Sequence, residues 1–393
     1  MKKIFLKHKK DEALRRFHPW VFSGAISHWD AEPEEGEAVA VVNAKGEFLA
    51  AGHYSKGSIA VRICSFEPVA VFNAAFWFGK LKSAYAYRKS LGLAQHPNTD
   101  CFRLVHGEGD GMPGLILDVY GTSAVMQCHS IGMHQNREFI AEALADVLGK
   151  RLEVLFDKSK ETLPAHYAAK VSNNLMLGAG VGAVVRENGH FFWVDWAEGQ
   201  KTGFFLDQRD NRQLLTRYVK GKSVLNAFAY SGGFSVYALA NGARQVRSVD
   251  VSAKAIAWTH QNVELNHLET ERHEGIAADV LQYFKSAGEQ YDVLVVDPPA
   301  FAKSLAKRHN AVQAYKRLNV AALKCLRPGG MLFTFSCSQV VDKLLFYNTI
   351  VAAAIESGRK VRVMHYLEQP PDHPVQLFHP ESSYLKGLAL YVE

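Results

Sequence analysis

Apolar and polar positions change their rhythm along the chain. Glu37 to Val42 alternates loosely, Asn43-Ala44-Lys45-Gly46 is a turn signal, and Glu47 to Tyr54 resumes as a strand. Ile59 to Phe66, rich in β-branched residues, predicts a third strand. Short strands packed into about 70 residues predict a small β-barrel. At Glu67-Pro68 the pattern turns helical: Asn73 is an N-cap candidate, and Ala74 to Leu91 carries Phe76, Trp77, Tyr85 and Tyr87 at helical spacing. Strands are then predicted at Phe102–His106, Leu115–Tyr120, Val125–Ser130 and Leu152–Phe156, with a helix at Gln135–Leu148. Glycine-rich runs at Gly178–Gly182 and Glu187-Asn188-Gly189 place a boundary near residue 189.

Beyond that boundary, strand and helix alternate. Strands are predicted at Ser223–Phe228, Gln245–Val249, Tyr291–Val296 and Met331–Phe335, with helices at Phe234–Ala240 and Ala253–Asn266. This order predicts an α/β fold built on a doubly wound parallel sheet. Such sheets bind ligands at the carboxyl ends of their strands. The three segments, 1–72, 73–189 and 190–393, are read as three domains.

Composition narrows the picture. The 393 residues are 48% hydrophobic and 21% charged, which excludes a disordered chain. The longest uncharged stretch, Ser223 to Ala243, is interrupted by Asn226, Ser231, Gly232, Gly233 and Ser235, so no membrane span is expected. Phe17-His18-Pro19-Trp20 follows the basic start where a signal core would be apolar, and a cytoplasmic location is expected. The 45 basic residues outnumber the 39 acidic ones, and Lys2, Lys3, Lys7, Lys9, Lys10, Arg15 and Arg16 crowd the start. That run suits an anionic partner, and a solvated terminus explains it equally well. Five scattered cysteines include no C-x-x-C pair, and no H-E-x-x-H occurs, so neither a disulfide framework nor a metal site is expected.

Four groups carry candidate chemistry. Asn226-Ala-Phe-Ala-Tyr-Ser-Gly-Gly-Phe-Ser235 puts a glycine pair between a strand and a helix, and Asp250, then Val251, follows the next strand. An acid at that position accepts both hydroxyls of a ribose. The fingerprint G-x-G-x-x-G is absent, and Tyr230 and Phe234 crowd the place of a pyrophosphate, so a nucleoside without phosphates fits better. Asp279 follows the third inferred strand, as an adenine-amine acceptor, a helix N-cap, or both. Asp297-Pro298-Pro299 ends an apolar strand with a stiffened carboxylate suited to the polar edge of a base. Cys337, between Ser336 and Ser338, lies at or just past the next strand end. A lone cysteine there reads either as a small core hydrophobe or as a nucleophile, whose thiolate would add to C6 of cytosine and make C5 nucleophilic toward a sulfonium methyl. Cys325, on the preceding helix, reads as core.

Together these residues resemble the class I methyltransferases, and more narrowly the bacterial 23S ribosomal RNA cytosine-C5 methyltransferases with an N-terminal PUA-like domain. His18-Pro-Trp-Val-Phe-Ser-Gly24 resembles the family's PUA-like opening and Gly107-Glu-Gly-Asp-Gly-Met-Pro-Gly114 its central hairpin. Lys201-Thr-Gly-Phe-Phe-Leu-Asp-Gln-Arg209 resembles the segment before the catalytic sheet, Asp297-Pro-Pro and Phe335-Ser-Cys-Ser338 two catalytic motifs, and Tyr384-Leu-Lys-Gly387 the last strand. One departure stands out: the family usually has lysine after D-P-P, where this chain has Ala300, with Lys303 three residues on.

The resemblance implies a Rossmann-like methyltransferase sheet, a central α/β domain and a PUA-like small β-barrel. It implies S-adenosylmethionine as cofactor, held by Gln208, Phe228, Tyr230, Ser231, Gly232, Gly233, Phe234, Asp250, Val251, Asp279 and Asp297. Cys337 is the implied nucleophile and Asp297 its partner on the cytosine edge, with Phe301 and Tyr384 as stacking surfaces or core. The implied partner is 23S ribosomal RNA or its precursor, with no membrane, and a homodimer is among the permitted assemblies. Two alternatives stay open: a guanine-methylating relative on the same scaffold, and a non-catalytic ribosome assembly factor that binds RNA and S-adenosylmethionine.

Overall fold

A computed structural model describes residues 1–288 and 290–393. The chain divides into two compact units. One comprises residues 1–185, 194–206 and 371–382, and the other residues 186–193, 207–370 and 383–393.

The first unit contains two sheets. In the first, strands run in the order Trp20–Phe22, Ile59–Ser65, Phe48–Tyr54, Ala38–Val42, Lys2–Leu6, Ile26–Trp29. The basic start of the chain is therefore a strand between two others, parallel to Ala38–Val42, with Lys2 paired to Val39. Its alternation is real: Ile4 and Leu6 are buried with Val39, Val41 and Val61, while Lys2 reaches Glu37 at 2.8 Å. Repeated lysines hide that apolar alternation in the sequence.

The second sheet has five strands, in the order Asn174–Leu177, Val154–Asp157, Ser123–Cys128, Leu115–Tyr120, Cys101–His106. Helix Ala74–Ser90 packs Trp77 and Leu81 into a core with Leu104, Leu117, Met126 and Ile140. Asn73 caps it as expected, its side chain accepting from the Phe76 N–H at 3.1 Å. Residues 371–382 join this unit through buried polar contacts. Arg88, ion-paired with Asp110, donates to the Asp372 carbonyl at 2.7 Å, and the Asp372 carboxylate accepts from the Arg103 N–H at 3.0 Å.

The second unit is an α/β sandwich around one seven-stranded sheet. Its strands are β1 (Ser223–Ala227), β2 (Gln245–Asp250), β3 (His273–Ala277), β4 (Tyr291–Val296), β5 (Leu326–Ser336), β6 (Val361–Glu368) and β7 (Lys386–Val392). They lie in the order β3-β2-β1-β4-β5-β7-β6. The first five are mutually parallel, and β7 is antiparallel to both of its neighbours. The helices are α1 (Gly233–Ala240), α2 (Ala253–Leu265), α3 (Val280–Ala287), α4 (Arg308–Cys325) and α5 (Lys343–Ser357). Every residue of β1 is buried, as a strand covered on both faces requires. The strand order reverses between β1 and β4, which makes their carboxyl ends the switch point where such sheets open a crevice. No helix among the described residues is long and apolar enough to cross a membrane.

Candidate active site

The turn from β1 into α1 is built from unusual backbone. Phe228, Tyr230 and Gly232 have φ of 60°, 48° and 77°. Left-handed conformations are costly for Phe and Tyr, and such strain is held only where surroundings over-determine it. Here α2 supplies the restraint. The Thr259 hydroxyl donates to the Tyr230 carbonyl at 2.9 Å, and the Asn262 amide donates to the Ser231 carbonyl at 2.8 Å. A Cβ on Gly232 would lie 2.5 Å from the Thr259 methyl, and one on Gly233 would lie 3.0 Å from Arg212 Cδ. Gly232 is thus fixed by φ and by close approach, and Gly233 by close approach alone. Arg212 is itself buried and bidentate to Glu187, with both contacts at 2.8 Å.

Asp250, at the end of β2, clamps this turn. One carboxylate oxygen accepts from the Tyr230 N–H at 3.0 Å and the other from the Ser252 N–H at 2.9 Å. Each oxygen keeps a further lone pair, so the carboxylate can still accept ribose hydroxyls. Val251 beside it is 77% exposed, an apolar side chain open to the flat face of a base. Asp279 lies past β3, exposed, and caps α3 by accepting from the Gln282 N–H at 2.9 Å. Beneath the turn, Asn226 donates to the Ser235 hydroxyl at 2.8 Å, Ser235 meets Ser248 at 2.7 Å, and Ser248 meets His273 Nε2 at 2.8 Å. Burial pushes the His273 imidazole down to about 4, so it stays neutral in that network at physiological pH.

Asp297 stands just beyond β4. Its carboxylate accepts from Gln208 Nε2 at 3.0 Å, and Gln208 Oε1 accepts from Asn211 Nδ2 at 2.7 Å. Asn211 also donates to the Glu368 carbonyl at 3.1 Å, so the amide chain has a single sense and presents an N–H to the carboxylate. Cys337, one residue past β5, lies 3.9 Å from the Pro298 carbonyl oxygen, which brings the thiol beside the D-P-P turn. Cys325 is buried at the end of α4, in the core as expected. Phe301 packs on Tyr315 with centroids 4.6 Å apart, and the Tyr384 hydroxyl donates to Asp207 at 2.6 Å. Phe234 is buried at the start of α1 against Phe335.

Lys386 is a residue the sequence named only as part of a strand motif. In the antiparallel ladder it lies opposite Ser336, and its buried ammonium donates to the Ser338 and Val341 carbonyls, both at 2.7 Å. Burial pushes its pKa down to about 8, with Cys337 pulling in the opposite direction. Most of the population is therefore cationic at neutral pH, one residue across the sheet from the thiol.

These groups collect at one edge of the sheet: a strained glycine turn, an acid ending β2, an acid after β4 and a thiol after β5. Residues 165–388 match the S-adenosylmethionine-dependent methyltransferase family, and residues 4–66 match a PUA-like domain. The chain belongs to the S-adenosylmethionine-dependent methyltransferases. It is 38% identical over 99% of both chains to ribosomal RNA large subunit methyltransferase I of Escherichia coli O139:H28. A solved S-adenosylmethionine-dependent methyltransferase of Streptococcus mutans covers 100% of each chain at 25% identity, with a TM-score of 0.85. A methyltransferase solved with S-adenosylhomocysteine superposes with a TM-score of 0.84, again at 25% identity and full coverage.

The residues of this methyltransferase fit the cofactor. The Ser231 hydroxyl is buried in the glycine turn without a hydrogen-bond partner, a polar group ready for the methionine end. Asp250 could accept the ribose hydroxyls, and the exposed Val251 could cover the adenine face. Bound there, S-adenosylmethionine supplies an electrophilic methyl group on a sulfonium.

Proposed function

We propose that this methyltransferase methylates C5 of a cytosine in large-subunit ribosomal RNA through a covalent adduct on Cys337. The observation that carries this reading is the thiol beside the D-P-P turn, with Asp297 on one side and the Lys386 ammonium behind it. The 38% identity to a ribosomal RNA large subunit methyltransferase supports the substrate class. The PUA-like match at residues 4–66 supports an RNA partner. The exposed Lys303, Lys307 and Arg308 after Asp297-Pro-Pro supply cations for phosphates near the site.

Each group has a defined task. The Cys337 thiolate forms a bond to C6, and the electron pair displaced from the C5–C6 double bond moves toward the N3 and carbonyl side of the ring. A proton passes from the Asp297 carboxyl to N3 as the charge builds there, the carboxylate then accepts from N3–H while Gln208 holds it, and the proton returns when sulfur leaves. C5 then forms a bond to the methyl as the methyl–sulfonium bond breaks, with S-adenosylhomocysteine as the leaving group. A base removes the C5 proton, the double bond re-forms, and sulfur leaves as thiolate. Lys386 favours the thiolate at both ends of the cycle. The target base must leave any helix to reach these groups.

The reaction is tested by mapping 5-methylcytosine in ribosomal RNA from cells with and without the gene. One cytosine in the large-subunit RNA should lose its methyl group when the gene is removed. Loss of a methylguanine instead would assign the scaffold to guanine, and an unchanged map would leave a cofactor-binding protein without this activity.

A separate outcome concerns the cofactor. S-adenosylhomocysteine at a hundred times its dissociation constant stabilises by about 2.7 kcal/mol, which is read as a rise in Tm. Asp250→Ala should remove most of that rise, because it takes away the ribose acceptor and releases the Tyr230 and Ser252 N–H groups. A full shift in the variant would mean that Asp250 only braces the turn.

A further inference from the structure

The first unit carries a cluster that the methyl transfer does not use. One ring nitrogen of His18, one of His379 and a carboxylate oxygen of Glu381 lie within 4.8 Å of one another. His379 is 2% exposed, and its Nδ1 lies 2.8 Å from the Ser382 hydroxyl. Its Nε2 is buried with no hydrogen-bond partner and stands 3.7 Å from Glu381. With Nδ1–H donated to Ser382, Nε2 presents a lone pair to the centre of the cluster. His18 Nδ1 lies 3.3 Å from the Trp20 carbonyl oxygen and 3.2 Å from the Trp20 N–H, and the tautomer that donates to the carbonyl leaves Nε2 as an acceptor. Anchoring of the second ring nitrogen by a carbonyl or hydroxyl is the arrangement that orients imidazoles for metal binding. The Trp20 ring packs edge-on to His379 at 4.3 Å, and its indole N–H donates to Glu108 at 2.9 Å, which sets another carboxylate near the cluster.

We propose that His18, His379 and Glu381 form a zinc site with two nitrogen donors, one oxygen donor and an open fourth position. Imidazole donors favour Zn²⁺ over Mg²⁺ or Ca²⁺, and two histidines with one carboxylate are a known type of donor set for it. Donors on a tetrahedral zinc, with bonds of about 2.0–2.2 Å, sit about 3.4 Å apart. Glu381 and His379 Nε2, 3.7 Å apart, are already near that spacing, and closing the site asks the widest pair, at most 4.8 Å apart, to draw in by about an ångström. The ion joins the Phe17–Trp20 segment to residues 371–382, both within the first unit. His18 is far in sequence from His379 and Glu381, which is why no ligand spacing announces the site.

The test uses the untagged, metal-stripped full chain. Titration with Zn²⁺ followed by calorimetry should show one site. Co²⁺ in its place should give visible d–d bands without the near-ultraviolet band of a thiolate–metal bond. Glu381→Gln and His379→Ala should each weaken Zn²⁺ binding at least about tenfold, since losing a ligand costs more than losing an outer partner. Glu381 is exposed, so that variant keeps its metal-free Tm, which separates a lost ligand from a damaged fold. Absence of binding up to millimolar Zn²⁺, unchanged affinity in the folded Glu381→Gln variant, or a thiolate band from one of the cysteines would overturn the proposal.

Discussion

Cys337→Ala is expected to lower turnover by several orders of magnitude while leaving affinity for S-adenosylhomocysteine and for RNA unchanged. Cytosine C5 is a poor nucleophile until sulfur has added to C6, so removing the thiol removes the activated ring and not merely a contact. The alanine variant should melt near the wild-type temperature, because the thiol is only half-buried and its contact with the Pro298 carbonyl is long. A free thiol titrates near 8.5 and is only a few per cent thiolate at neutral pH. Lys386 addresses this deficit: it is cationic below its pKa of about 8 and loses that charge as pH rises through it. Replacing it by methionine should move the pH midpoint of Cys337 alkylation upward by about one unit, the effect of removing roughly 1.4 kcal/mol of charge stabilisation. With 5-fluorocytosine at the target position, the wild-type enzyme should form a denaturation-resistant adduct that peptide mapping places on Cys337. The C5 fluorine cannot leave as a proton, so the final elimination stops. Full activity in Cys337→Ala would move the chemistry to direct transfer onto a ring nitrogen.

Those residues were legible because their signals are local. A glycine pair between strand and helix, and single polar residues at the ends of apolar strands, can be read within a dozen positions once the sheet is taken as parallel. Asp250, Asp297 and Cys337 were located this way, and the structure brings them to the same edge. Lys386 was not assigned a role, because its place beside Cys337 arises from the antiparallel pairing of β7 with β5, which joins segments 50 residues apart (Ser336 to Lys386). Thr259 and Asn262 were missed for a similar reason. They look like ordinary polar positions on a helix until the strained turn they hold is seen beside them. The first strand, Lys2–Leu6, is concealed by its charge, since Lys2, Lys3 and Lys7 crowd round the buried Ile4 and Leu6. Residues 371–382 are tied to the first unit by the Arg88 side chain and the Arg103 backbone N–H, hundreds of positions upstream. No window of sequence holds both partners.

Asp297→Asn separates binding from catalysis at the base edge. Neutral cytosine presents an amine donor at N4 and an acceptor at N3. The carboxylate matches the amine, but it matches N3 only as that atom gains a proton or hydrogen-bond donor while sulfur adds to C6. An asparagine whose oxygen still accepts from Gln208 turns its N–H toward N3 and suits the neutral base. The substitution should therefore hold KM within a few-fold while kcat falls by about 10²–10³, the usual size for losing one oriented group that acts on developing charge. Gln208 sharpens the test, since Asn211 fixes its amide sense and it can only donate to position 297. Gln208→Leu leaves the carboxylate in place but free to rotate, so a smaller loss in kcat is expected, with cofactor binding retained. If Asp297→Asn instead raises KM and spares kcat, the carboxylate only binds the base, and stabilisation of the adduct must come from elsewhere in the site.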